Sequence, residues 1–369
     1  MSDDPLLPPL ILFGAFDRHN LGDILLAHVA AAETAPRPVL FAGLAERDLS
    51  ACGGHRVHAL TTLAAEWDMQ RRDTRADLLH VGGELLTCTS YEAAVMLQTQ
   101  ADAEAVIARF DVRLDARVDQ DSAARRRWTR ATLGRPAHLP YLAAKALFRR
   151  PGHFEYRAVG GVDLQRLPQE FRAEALQRLR EADRISVRDR RTQAHLAAEG
   201  IAAALAPDPV SRIAALFGQR IRRRSLSGEP AAVQAAFPNG YLAAQFAAEY
   251  GDDPSLDRLA AHLDARLGAR GLVLFRAGAA PWHDDLAVYR RLARRLPQRR
   301  LHLFQSLNVW DICALVANAQ GYCGSSLHGW ILARAFGVAV LPFPLPANTG
   351  KLAAYVDAWG TQTAADRAG

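Results

Sequence analysis

Sulfur is scarce in this 369-residue chain, which has four cysteines and three methionines. Cys52, Cys88, Cys313 and Cys323 form no C-x-x-C pair, so neither a zinc ribbon nor a redox dithiol can be built from them. A few scattered thiols suit a reducing compartment. Long apolar runs are missing too, since no stretch reaches the ~20 residues that a membrane span needs. The opening MSDDPLLPPLILFGAF has no basic segment ahead of its short apolar run, which argues against a secretory leader. There is no G-x-G-x-x-G and hence no dinucleotide fingerprint. His283-Asp284-Asp285 comes nearest to a metal cluster, and solvated helix-capping acids explain it better, so neither metal nor cofactor is expected. Nucleic-acid binding would rest on the arginine runs alone, and no nucleic-acid-binding motif backs it. Together these absences lead to a cytoplasmic protein, or one peripheral to the inner face of a membrane.

What is present is a two-domain load of apolar residues. Half the chain is hydrophobic, enough to fill two cores of middling size. The net charge of +6, nearly all from arginine, favours acidic partners such as phosphorylated metabolites, sugar nucleotides or anionic headgroups. The stretch Arg125 to Arg150, with Trp128, Tyr141 and Phe148 among its arginines, suits either a solvated helical insertion or an anionic membrane surface.

Short apolar runs alternate with helical patterns along the chain. Leu10 to Phe13, Val39 to Phe41, Leu78 to Val81, Arg157 to Val159 and Arg184 to Val187 predict buried parallel strands. Asp23 to Glu33, Tyr91 to Phe110 and Pro168 to Ala182 predict helices between them. A stretch rich in Pro and Arg follows, and the rhythm then restarts with strands at Tyr241 to Gln245, Leu272 to Phe275, Leu301 to Phe304, Gly321 to Cys323 and Val338 to Leu341. The expected division is 1–215, a linker at 216–238, 239–350, and a final helix within 351–369 packing across the domains. The fold class is α/β: two Rossmann-like domains with mostly parallel sheets facing each other across a cleft. Ligands bind such sheets at the carboxyl ends of their strands, so the loops there hold the candidate residues.

Four of these loops stand out. Asn20-Leu21-Gly22-Asp23 leads from the first strand into a helix, where Asn20 and Asp23 serve either as caps or as ligand contacts. Gly82-Gly83-Glu84 closes a later strand and offers a carboxylate to a sugar hydroxyl. Arg188 follows the strand Arg184 to Val187, placed either to grip an anion bidentately or to pair with a nearby Asp. Ser325-Ser326-Leu327-His328-Gly329 follows a strand of small residues, so His328 falls in the first turn of a helix whose N-terminus attracts anions. Arg276 lies in the loop after Leu272 to Phe275.

The order of these loops resembles the polysaccharide pyruvyl transferase family over nearly the full length. The shared elements are Asn20-Leu21-Gly22-Asp23, Gly82-Gly83, Val187-Arg188-Asp189, Asp208-Pro209, Ser325-Ser326-Leu327-His328-Gly329, and Lys351 opening the last helix. The resemblance implies a glycosyltransferase-B-like fold. It also implies transfer of pyruvate from phosphoenolpyruvate to a sugar of a bacterial polysaccharide or its lipid-linked precursor, giving a ketal. On that basis His328 is the acid or phosphate ligand. Arg188, Ser325, Ser326, Lys351 and Arg276 bind the donor. Asn20, Gly22, Asp23, Gly82, Gly83 and Glu84 line the acceptor side or cleft. Many members carry Arg where this chain has Ser326, and Arg276 is placed to supply that cation. The implied partners are phosphoenolpyruvate and a sugar or lipid-linked glycan, with a homo-oligomer also compatible. Two alternatives stay open. One is a sugar-nucleotide glycosyltransferase, disfavoured because 325–343 lacks a carboxylate, and the other a non-catalytic glycan-binding homologue.

Overall fold

The computed structural model describes residues 7–110, 123–134, 136–345 and 350–360. The chain divides into two compact units. Unit 1 comprises 1–18, 26–50 and 54–209, and unit 2 comprises 19–25, 51–53 and 210–369. No described helix is long and apolar enough to cross a membrane.

Unit 1 is built on eight strands: β1 (Leu10–Phe13), β2 (Val39–Gly43), β3 (Arg47–Asp48), β4 (Arg56–Ala59), β5 (Ala76–Val81), β6 (Pro151–Val159), β7 (Arg184–Val187) and β8 (Ala204–Leu205). Their order is β3-β4-β2-β1-β5-β6-β7-β8, and only the β3–β4 edge pair is antiparallel. The continuous apolar run of β1 is buried throughout, as a strand covered on both faces requires. Ile11, Phe13, Leu78, Phe154, Tyr156 and Val187 belong to the core beneath the helices. The chain leaves β1 toward β2 while β5 lies on its other flank, so the crevice for a ligand falls at the carboxyl ends of β1 and β5.

Unit 2 carries four parallel strands: β9 (Tyr241–Gln245), β10 (Gly271–Leu274), β11 (Leu301–Leu303) and β12 (Gly321–Gly324), in the order β11-β10-β9-β12. Leu242, Leu256, Leu259, Leu263, Leu272 and Leu292 contribute to its core. Here the reversal lies between β9 and β12, whose carboxyl ends bear Gln245 and Ser325.

The structure departs from the sequence reading in several places. Val338 to Leu341 forms no strand and meets β12 only through a single bridge, Tyr322 with Val340. Pro342 follows, and proline cannot extend a ladder. The stretch 91–110 is two helices, Ser90–Met96 and Gln100–Phe110, because Thr99 opens the second by accepting the Asp102 amide. The stretch 216–238 is helical over Ile213–Arg224 and Gly228–Ala236 rather than an open connection. Ile213 and Ile221 are buried there, and Arg222, Arg223 and Arg224 end the first of the two helices. The helix expected at Lys351–Trp359 is present, and it packs on the helix Leu327–Ala335 through Trp330 and Tyr355. Within 125–150, of which residue 135 lies outside the described residues, Tyr141 and Phe148 are buried in the unit 1 core. Trp128 packs on Tyr91 and Phe110. These aromatics pack against protein.

Candidate functional site

In unit 2 the site is built at the β9–β12 reversal. Beyond β12, Ser326 caps the helix Leu327–Ala335 by accepting the Gly329 amide at 3.2 Å. Ser325 Oγ accepts the Ala247 amide at 3.1 Å. Gln245, the last residue of β9 and 3% exposed, holds both serines in place. Its main-chain carbonyl accepts the Ser325 amide, and its Oε1 accepts the Ser326 amide at 3.1 Å. The glycines here are steric requirements: a Cβ on Gly324 or Gly329 would lie 2.3 or 2.2 Å from the Tyr322 hydroxyl.

Gln245 in turn donates through Nε2 to Asp284 Oδ1 at 2.7 Å. The other oxygen of Asp284 accepts the amides of Ala277 at 2.6 Å and Gly278 at 3.3 Å. Burial pushes the Asp284 carboxyl up to about 7, outweighing these hydrogen bonds, which pull it down. Asp284 is thus a half-buried strut between the loops after β9 and β10 and not a solvated cap. Asp285 does cap, accepting the Ala287 amide. Among the described residues no three His, Cys, Asp or Glu side chains could hold a metal ion.

His328 is half-buried in the first turn of its helix, and its ring lies against Gly22. A Cβ on Gly22 would fall 1.8 Å from His328 Nδ1. Asn20 caps the helix Leu21–Glu33, its Oδ1 accepting the amides of Gly22 and Asp23. Asp23 lies in the first turn of that helix and is buried. The loop is fixed to the segment after β10 because Leu21 donates to the Ala277 carbonyl and Asn20 bridges Gly278.

Sequence reasoning passed over His19 and Gln245. His19 Nδ1 accepts the Ala279 amide at 3.1 Å, so its Nε2 carries the proton and donates to the Leu307 carbonyl at 2.7 Å. Burial, and then the nearby Arg276 charge, lower its pKa and keep it neutral. Arg276 has no carboxylate partner among the described residues, and its Nε is buried without a hydrogen bond. An unpaired guanidinium with a buried, unsatisfied N–H is a ready anion ligand. Lys351 likewise pairs with no carboxylate among the described residues. A signal for Gln245 did exist in the sequence: an amide ends an otherwise apolar strand.

Unit 1 assembles the other candidates. Gly82 and Gly83 follow β5 with φ of +49° and +73°, and a Cβ on Gly82 would strike Leu26. Glu84 and Arg188 meet as an ion pair at 2.8 Å, and Arg188 also pairs with Asp208 at 3.0 Å. Arg188 is 2% exposed and Asp208 fully buried. Glu84 accepts the Val162 amide besides. Arg188 is therefore committed to two carboxylates and is not an open anion clamp, while Glu84 faces Arg188 rather than standing free for a sugar hydroxyl. Asp189 caps the next helix through the Thr192 amide and hydroxyl, and Thr192 Oγ1 accepts the Gly161 amide. The Val187-Arg188-Asp189 and Asp208-Pro209 turns thus knit the strand ends of unit 1 together.

Comparison with known proteins bears on this arrangement. Residues 165–345 match the model of the polysaccharide pyruvyl transferase family. The match contains Arg188, Asp208, Arg276 and the Ser325–Gly329 turn, and lies beyond the Asn20 and Gly82 loops. No curated protein matches the chain significantly. Among solved structures, the chain is similar to a UDP-GlcNAc 2-epimerase from Neisseria meningitidis bound to UDP-GlcNAc, at 12% identity and TM-score 0.47, covering 94% of this chain and 85% of that one. It is also similar to another UDP-N-acetylglucosamine 2-epimerase, at 13% identity and TM-score 0.49, covering 97% and 82%. A third similarity is to an α,α-trehalose 6-phosphate synthase from Burkholderia multivorans, at 12% identity and TM-score 0.40, covering 98% and 92%.

Proposed function

We propose that this chain, whose residues 165–345 carry a polysaccharide pyruvyl transferase domain, moves the enolpyruvyl group of phosphoenolpyruvate onto two hydroxyls of a sugar. The acceptor is a bacterial polysaccharide or its lipid-linked precursor, the product a pyruvate ketal, and the setting the cytoplasm. One observation carries the reading: His328, at a capped helix N-terminus, lies against the Asn20–Asp23 loop, with unpaired Arg276 on the adjoining segment.

The reaction needs a proton on carbon 3 of the donor, stabilisation of a cationic carbon 2, and a grip on the departing phosphate. We assign the proton to His328. The carboxylate and phosphate fall to Arg276, Lys351 and the positive end of the helix Leu327–Ala335. Protonation of carbon 3 makes the methyl group, and a sugar oxygen attacks carbon 2. The carbon–oxygen bond to phosphate then breaks, and the second hydroxyl closes the ketal. Of the two hydroxyl protons released, one restores His328 and the other leaves on phosphate.

Ser325 and Ser326 shape the N-terminus, and Ser326 keeps a hydroxyl proton to donate. In this reading Arg188 is a positioning residue: it holds Glu84 and Asp208, and through them the Gly82–Glu84 loop that we assign to the acceptor.

Calorimetric titration tests the donor without knowledge of the acceptor. The account expects saturable binding of phosphoenolpyruvate and none of a UDP-sugar. Binding of the nucleotide alone would overturn it in favour of a sugar-nucleotide transferase.

A further inference from the structure

The helix Ala123–Leu133 of unit 1 borders a cavity of about 540 Å³ that the proposed reaction does not use. Arg125, Arg126, Arg127 and Arg130 line it together with Glu170, and Arg125 and Arg126 have partners of their own. Arg125 is 4% exposed, its guanidinium 5.2 Å from the centre of the Tyr91 ring. Arg127 and Arg130 have no carboxylate partner among the described residues. Thr129 is 8% exposed, and its buried hydroxyl has no hydrogen bond among the described residues. Leaving a buried hydroxyl unsatisfied is unfavourable, so such a group calls for a ligand to complete it. The lining also holds His138 and Phe171, whose rings are 4.4 Å apart.

Charge and size together define the occupant. Guanidiniums at this density select phosphoryl oxygens, which they bind through paired N–H groups. A volume of this order belongs to pockets that hold organic ligands and exceeds what bare phosphate fills. We propose that this cavity binds a phosphoryl or diphosphoryl ester. The arginines and the Thr129 hydroxyl take the phosphoryl oxygens, and the organic body lies along Tyr91 and Phe171.

The test is calorimetry with pyrophosphate and glucose 1-phosphate, with methyl glucoside as the neutral control, alongside flotation with phosphatidylglycerol or phosphatidylcholine vesicles. Each is run on the wild type, on the double variant Arg127→Gln/Arg130→Gln, and on Thr129→Val. The two arginines are exposed and Thr129→Val preserves shape, so melting temperatures should stay unchanged. Saturable binding of the phosphorylated probes is expected, weakened roughly tenfold or more by the double variant and several-fold by Thr129→Val. Binding confined to phosphatidylglycerol vesicles and lost in the variants makes the ester a lipid headgroup. Binding of the soluble esters makes it a free metabolite. If no probe binds saturably, or if both variants bind as tightly as the wild type, the cavity is not an ester site.

Discussion

The His328 ring occupies the space that a side chain on Gly22 would need, its Nδ1 only 1.8 Å from where a Cβ would stand. Two turns from opposite ends of the sequence are thereby locked together in unit 2. Alanine in a helix is favoured over glycine by up to about 1 kcal/mol, whereas overpacking a close contact costs ~1–3 kcal/mol. Gly22→Ala should therefore lower the urea midpoint, and adding His328→Ala should recover most of the loss. Strictly additive losses in the double variant would show that the two residues are uncoupled.

Arg188 sits between Glu84 and Asp208, both within 3.0 Å, with Arg188 and Asp208 buried and Glu84 half-buried. Removing one partner of such a group leaves buried charge uncompensated, at ~3–5 kcal/mol. Arg188→Met should destabilise by that order, and Arg188→Lys should rescue it poorly because one ammonium cannot replace a two-sided fork. Urea unfolding of the two variants decides this; wild-type stability in Arg188→Met would mean the pairs are incidental.

Asp284 gives the stability a pH dependence of definite sign. Its folded carboxyl titrates at about 7 because of burial, against about 3.9 in an unfolded chain. Below pH 4 both states hold the proton. Between there and 7 the unfolded chain ionises while the folded one resists, so stability falls as pH rises, by at most ~1.4 kcal/mol per unit. Above 7 the slope ends. Midpoints measured from pH 4 to 8 should decline more steeply for the wild type than for Asp284→Asn. Parallel profiles would remove Asp284 as the cause.

Arg276 has a buried N–H with no hydrogen-bond partner among the described residues. Arg276→Gln should cost at least about tenfold in phosphoenolpyruvate affinity, the worth of one charge-assisted contact, without lowering the melting temperature. Lys351→Gln should act in the same direction. Unchanged donor affinity in both variants would take them out of the site.

Much of this architecture was legible in the sequence. Parallel strands buried on both faces need continuous apolar runs, and Leu10–Phe13 and Gly271–Leu274 announce themselves that way. The Ser326 cap and the place of His328 in the first turn were equally readable, since both depend on neighbours within four residues. What could not be read depends on distant partners. The role of Gln245 rests on Ser326 and Asp284, and the neutral state of His19 on Ala279 and Leu307. Arg188 shows the limit most clearly, because its pattern fits an anion clamp and an internal ion pair equally well. Only the positions of Glu84 and Asp208 decide between them.

The most direct measurement is acceptor-dependent phosphate release from phosphoenolpyruvate by the wild type and by His328→Gln, with melting temperatures taken on the same samples. If His328 supplies the proton to carbon 3, turnover should fall by ~10²–10⁴, the usual contribution of one acid–base group, while the melting temperature holds. Full turnover in His328→Gln, or a loss of activity that only tracks a lower melting temperature, would contradict the account.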